Sequence, residues 1–226
     1  MINILLNYYN FDCAWARPHL EKYVLGKKVL IIPLAYREAQ AWDESSFQSI
    51  YGKGGEKYAN ILAPFLAYGY KEEEIDWLDY FDSRDHVAQV QNATLLFFTG
   101  GMPEKAIRRM DELGITDAVK SFGGVIMGAS AGAMLQLEKY HVTPDEDYER
   151  YHVQHGLGLV KGIDLEVHYL ATDLQNECTK RAVAELDLPV YQMWHEGGLI
   201  VDGDAITVMG RVEQVPVNAQ RAIRNA

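Results

Sequence analysis

One hydroxyl in this sequence is framed to act as a nucleophile. In the stretch from Gly123 to Met134, the apolar run Val125-Ile126-Met127 reads as a buried strand. The chain then turns through Gly128-Ala129-Ser130-Ala131-Gly132 and continues as Ala133-Met134-Leu135-Gln136, residues that favour a helix. A strand, a Gly-x-Ser-x-Gly turn and a helix present a serine on a sharp, strained corner where bulky neighbours would clash. The same corner leaves the Ala131 N–H at the start of a helix, free to stabilise an oxyanion. A small-residue turn packed against a sheet would have the same composition, so the rest of the machinery has to be found.

A serine hydroxyl needs a base within hydrogen-bond reach. Of seven histidines, His19 and His86 fall inside helical patterns, and His141, His152 and His155 fall in a charged, tyrosine-rich loop. His195 adjoins a carboxylate and reads equally as a rim residue. His168 follows the apolar strand Ile163–Val167, and strand ends are where parallel α/β sheets place reactive groups. A buried structural histidine is the competing reading. The third requirement is a carboxylate to orient the imidazole. Glu196, after the strand Val190–Met193 and before Gly197-Gly198, is a candidate, with Asp173, Glu166 and Glu177 as competitors. A second oxyanion donor fits Gly100-Gly101, where no side chain would obstruct a carbonyl oxygen.

The elements that must position these groups alternate from the start. Strands are expected at Ile2–Leu6, Lys28–Pro33, Ile75–Leu78 and Thr94–Thr99, and helices at Ala14–Leu25, Glu56–Tyr68 and Ser83–Gln91. Further helices are expected from Pro103 and over Ile115–Phe122. The section from Ala35 to Gly55 reads as irregular and long enough to form a rim over a site. This alternation predicts an α/β fold, mainly a parallel sheet with helices on both faces. After a helix over Leu174–Leu186, short strands follow from Val190, with a hairpin joining Gly198–Val201 to Ala205–Met209 through Asp202-Gly203-Asp204. Residues 1–217 read as one domain and 218–226 as a polar tail.

Composition narrows the function classes. The 226 residues carry a net charge of −11, which argues against nucleic acid as a partner, since phosphate binding needs a basic surface. No apolar run is long enough for a membrane span, and Met1–Leu6 lacks the basic start of a secretory signal. Cys13 and Cys178 fit no metal spacing and read as free thiols in a reducing cytoplasm. No metal or organic cofactor is implied. The expected partner is a small peptide substrate, with the protein a monomer or homodimer.

The motifs together resemble the peptidase E and cyanophycinase family of serine peptidases. The resemblance rests on Gly128–Ala133, on Gly156-Leu157-Gly158-Leu159 leading to Val167-His168-Tyr169, and on Glu196-Gly197-Gly198-Leu199-Ile200-Val201. It implies a class I glutamine-amidotransferase-like (flavodoxin-like) α/β fold. It also implies Ser130 as nucleophile, His168 as base and Glu196 as orienting acid, with the oxyanion held by Gly101 and Ala131 N–H groups. Relatives commonly carry a polar residue after the Gly-Gly pair, where it shapes the substrate pocket; here Met102 and Pro103 follow. Cleavage after an N-terminal aspartate, the peptidase E specificity, requires a cation in the pocket, and Lys180 and Arg181 are the candidates. The activity implied is hydrolysis of a dipeptide or short isopeptide. An amidase or esterase with the same triad, and a non-catalytic binding protein on the same fold, are the alternatives; a glutamine amidotransferase would carry cysteine in place of Ser130.

Overall fold

A computed structural model describes residues 1–217. The chain runs β1 (Ile2–Leu6), α1 (Arg17–Val24), β2 (Val29–Ile32), α2 (Glu44–Tyr51), α3 (Tyr58–Ala67), β3 (Ile75–Trp77), α4 (His86–Asn92), β4 (Leu95–Phe98), α5 (Pro103–Glu112) and α6 (Thr116–Lys120). It continues with β5 (Val125–Ala129), α7 (Ala131–Met134), β6 (Lys139–Val142), β7 (His152–His155), β8 (Asp164–Glu166), α8 (Asp173–Leu186), β9 (Val190–Asp202) and β10 (Ala205–Val215). The tail expected at 218–226 lies outside the described residues. No described helix is long and apolar enough to cross a membrane.

The main sheet has the order β10-β9-β1-β5-β4-β2-β3, with β8 also paired to β9. The five strands from β1 to β3 are parallel; β9 is antiparallel to β1, and β9 and β10 form the C-terminal hairpin. Alternation along each strand divides the core between the two faces. Ile4, Leu6, Ile31, Phe97 and Met127 pack under α1, α2 and α3. Leu30, Ile32, Leu96, Phe98 and Ile126 pack with Val90, Ala106, Met110 and Val119 of α4, α5 and α6. Strands buried on both faces must be apolar throughout, which is why the continuous runs in the sequence mark them.

The rim segment is more ordered than its composition suggests. Asp43 accepts from Ser46 N at 2.8 Å while Ser46 Oγ takes the Asp43 N–H, a reciprocal cap that starts α2. Phe47, Ile50 and Tyr51 of that helix are buried. The helix expected at Ser83–Gln91 starts later, at His86, because the Asp85 side chain accepts the Ala88 N–H and caps it there. The short strands expected from Val190 are instead one β9, paired with β10 on both sides of an irregularity at residues 194–196, where the register shifts between Gly210 and Val212.

The charged loop expected around His141 is a two-stranded sheet, β6 with β7. His141 is buried, with Nδ1 2.6 Å from Asp164 Oδ2 and Nε2 2.7 Å from Glu166 Oε2. Burial alone would lower its pKa, but the charges of Asp164 and Glu166 and their hydrogen bonds overcome that and raise it to about 10. His141 is therefore an imidazolium at neutral pH, donating from both nitrogens.

Candidate active site

β5 ends at Ala129 and α7 begins at Ala131, so Ser130 alone makes the corner. Its backbone sits at φ 53° and ψ −115°, a sparsely populated conformation that costs about 1–3 kcal/mol and needs support from its surroundings. The support is backbone: Ser130 N–H donates to Leu6 O at 2.9 Å, and Ser130 O accepts from Ala133 and Met134 N–H groups. The flanking glycines allow the packing. A Cβ on Gly128 would lie 2.0 Å from Gly132 O, and one on Gly132 would lie 2.2 Å from Phe98 O.

His168 reaches this corner through strand direction. Leu6, at the end of β1, pairs with Gly198 of β9, whereas Glu166, at the end of β8, pairs with Gln192. β8 runs parallel to β9 and β1 runs against it, so the two strand ends converge on the stretch between 192 and 198. Asn7 N–H donates to Gly197 O and Tyr169 N–H to Met193 O, both at 3.0 Å. His168 N–H then donates to Asn7 Oδ1 at 2.7 Å. The result is His168 Nε2 at 2.9 Å from Ser130 Oγ.

The electrostatics suit a base. Crowding around the ring disfavours the imidazolium, and His195 adds a like charge. Asp145 and Glu166 oppose these effects, but the net result is a pKa below the ordinary histidine value. The imidazole is therefore neutral near pH 7 and can accept the Ser130 proton.

The Gly100-Gly101 turn lies beside the serine. Gly100 N–H donates to the Tyr9 hydroxyl at 2.7 Å and Met102 N–H to Ala35 O at 2.6 Å. Between them, the Gly101 N–H has no acceptor among the described residues, and neither does the Ala131 N–H. Gly101 has φ 136°, and a Cβ there would meet Ala35 O at 2.1 Å. Only glycine fits. Met102 itself is the N-cap position of α5 and half-buried, with its backbone engaged.

Ser130, His168 and Gly101 open on a cavity of about 320 Å³, whose walls include Asp145, Glu166 and Gln175. Glu196 is not among the residues that line it. It lies within β9, exposed, and its charge helps raise the pKa of the Cys13 thiol. Two carboxylates line the cavity and raise the His168 pKa: Asp145, not singled out in the sequence, has the larger effect, and Glu166, one of the competitors, is already held by His141, Thr143 and Gln175. Asp145 sits in the turn after β6, where its Oδ1 accepts the Asp147 and Tyr148 N–H groups. Lys180 and Arg181 do not line the cavity. Lys180 is exposed on α8, and Arg181 is held by Glu185 at 2.7 Å and lies over the Tyr151 ring. Among the described residues, no cluster of three or more His, Cys, Asp or Glu could hold a metal ion.

A strained serine between strand and helix, an imidazole in contact with it and free N–H groups at the carboxyl edge of a parallel sheet are the parts that a serine hydrolase needs. The chain belongs to peptidase family S51, whose sequence profile matches residues 13–214. It is accordingly a serine-type peptidase of the peptidase E type. The fold is shared with two solved structures. A protein from Listeria monocytogenes EGD-e, described as a candidate peptidase E, is 15% identical with a TM-score of 0.61, over 95% of this chain and 98% of that one. A peptidase from an acI-B1 Actinobacterium is 18% identical with a TM-score of 0.53, over 96% and 94% respectively. A comparison with curated proteins finds no match.

Proposed function

We propose that the protein hydrolyses a dipeptide or short isopeptide through an acyl-enzyme on Ser130. The observation that carries this reading is the 2.9 Å contact between His168 Nε2 and the hydroxyl of a residue held at φ 53°. Ser130 Oγ attacks the scissile carbonyl carbon as its proton passes to His168 Nε2. The oxyanion that forms is held by the Gly101 and Ala131 N–H groups. His168 returns the proton to the departing amine as the C–N bond breaks. Water then repeats the sequence on the ester, with His168 as base again, and frees the acid.

The third group in this reading is Asp145, which favours the imidazolium as it forms. It is supported by its place on the cavity wall and its charge interaction with His168. The acyl-side pocket has Asp145, Asp147 and Glu166 among its lining, and no lysine or arginine among the described lining residues. The His141 imidazolium also lines the cavity, but it is buried and both its nitrogens are held by Asp164 and Glu166, so an aspartate side chain would find no free cation there and the reading favours a neutral or basic residue over aspartate. The test is a panel of dipeptides and β-aspartyl isopeptides, with simple esters and amides alongside, assayed with wild type and Ser130→Ala. Serine-dependent cleavage of dipeptides supports the reading; cleavage only of esters or amides, or activity retained in Ser130→Ala, contradicts it.

A further inference from the structure

We infer that Gln175, on α8, is a positioning residue for His168, fixing the peptide unit that aims the imidazole at Ser130. This rests on the function proposed above and adds a residue to it.

The backbone of His168 is itself unusual. It has φ 52°, and Ala171 three residues later has φ 60°, so the turn after β8 contains two left-handed residues that are not glycine. Such a turn persists only when its surroundings over-determine it. On one side, Asn7 Oδ1 takes the His168 N–H. On the other, Gln175 Nε2 donates to His168 O at 3.0 Å. The same nitrogen donates to Glu166 Oε1 at 3.2 Å, and Gln175 Oε1 accepts the Leu170 N–H at 2.8 Å. One amide thus bridges residues 166, 168 and 170, alternate positions along the strand end and turn.

The amide cannot rotate out of this arrangement cheaply, because its partners are fixed. Glu166 Oε2 accepts from His141 Nε2 at 2.7 Å and from Thr143 Oγ1 at 2.6 Å, which leaves Oε1 for Gln175. His141 is in turn anchored on Asp164. Gln175 N–H donates to Thr172 Oγ1, the cap of α8, so the start of the helix fixes where the side chain emerges. A primary amide has two donors and an acceptor on one end, and this site uses both kinds. A carboxylate there would bring oxygen against Glu166 and the His168 carbonyl; a thioether would fill the space without any of the bonds.

Gln175 should matter for turnover more than for substrate affinity, since it acts on the base through the backbone. The experiment compares wild type, Gln175→Met and Gln175→Glu for steady-state hydrolysis and for the rate of Ser130 labelling by a fluorophosphonate, with thermal unfolding as a check on folding. The expectation is a fall in kcat of about tenfold or more for both variants, with KM within about twofold and labelling slowed in parallel, because small displacements of a catalytic group cost rate of this order. A folded Gln175→Met with wild-type kcat and labelling rate overturns the inference while leaving the proposed function standing. A rise in KM at unchanged kcat also overturns it, since the side chain would then be binding substrate. If wild type itself is not labelled at Ser130, the proposed function fails and this inference with it.

Discussion

His168 Nε2 lies 2.9 Å from Ser130 Oγ, although the two residues are 38 positions apart and each occupies a left-sided backbone conformation. Neither conformation is intrinsic to its residue type. Each is imposed by strand ends: Leu6 O holds the Ser130 N–H and Asn7 Oδ1 holds the His168 N–H. Both supports come from β1 and the residue that follows it. The centre is therefore as much a property of the first strand as of the two reactive side chains.

The pH dependence of hydrolysis follows from the environment of the base. Crowding and the charge of His195 lower the His168 pKa, so the acid limb of kcat/KM falls below about 6.5, the ordinary histidine value. Replacing His195 by Gln removes a like charge that disfavours the imidazolium, so the limb should move to higher pH. Asp145→Asn removes a charge that favours the imidazolium, so the limb should move to lower pH. Measured pH profiles of the two variants check both signs, and a shift in the same direction for both would contradict the assignment.

The same pair of carboxylates that the sequence and the structure favour differently can be separated by rate. Asp145→Asn should lower kcat by about 10²-fold or more, in the range expected for loss of support to a general base. Glu196→Gln, an exposed change at a residue that does not line the cavity, should stay within about twofold of wild type, since exposed substitutions away from such features are close to neutral. Steady-state kinetics on one substrate decides between them.

Gly101→Ala tests the oxyanion turn. The added methyl would lie 2.1 Å from Ala35 O at a φ of 136°, so the turn must move and carry its N–H away from the reacting oxygen. Loss of one such donor costs about 10²–10³ in kcat. Because the lost donor acts on the oxyanion of the transition state, binding of a non-hydrolysable substrate analogue should be affected far less, which equilibrium titration can read.

The buried His141 gives stability its own pH dependence. Its folded pKa is raised from the model-compound value of 6.5 to about 10. The stabilisation is thus fully present below 6.5 and is lost as pH rises through 10. Unfolding midpoints should decline across that window. His141→Ala should be destabilised by about 3–5 kcal/mol at pH 7, because Asp164 and Glu166 are left buried without their cation. An unfolding midpoint independent of pH between 6.5 and 10 in wild type would contradict the imidazolium assignment.

Parts of this architecture are legible in the sequence and parts are not, for physical reasons. Strands buried on both faces are continuous apolar runs, so Ile2–Leu6 and Leu95–Phe98 can be read directly. The serine corner is legible because close backbone approach demands small residues at fixed spacing. His141 misleads because its segment has the composition of a solvated loop; only its pairing with Asp164 and Glu166, on a strand the sequence does show, reveals a buried ion cluster. Residues 194–197 likewise read as a break, and 194–196 are indeed unpaired with β10, but the pairing of Met193 with Val212 and of Gly197 with Gly210 on either side keeps β9 one strand. The relation of Asp145 to His168 depends on how the turn after β6 folds over the site, and nothing in local pattern encodes that. Lys180 and Arg181 precede or follow buried Thr179 and Ala182 on α8, and the helix phase that buries those two turns both cations outward.

The central claim is that the Ser130 hydroxyl is activated by His168. Peptide mass spectrometry after treatment with a fluorophosphonate tests it most directly. The account predicts a single adduct on Ser130 in wild type, absent in Ser130→Ala and formed far more slowly in a folded His168→Ala. An adduct on another residue, or labelling of Ser130 at the wild-type rate without His168, would contradict it.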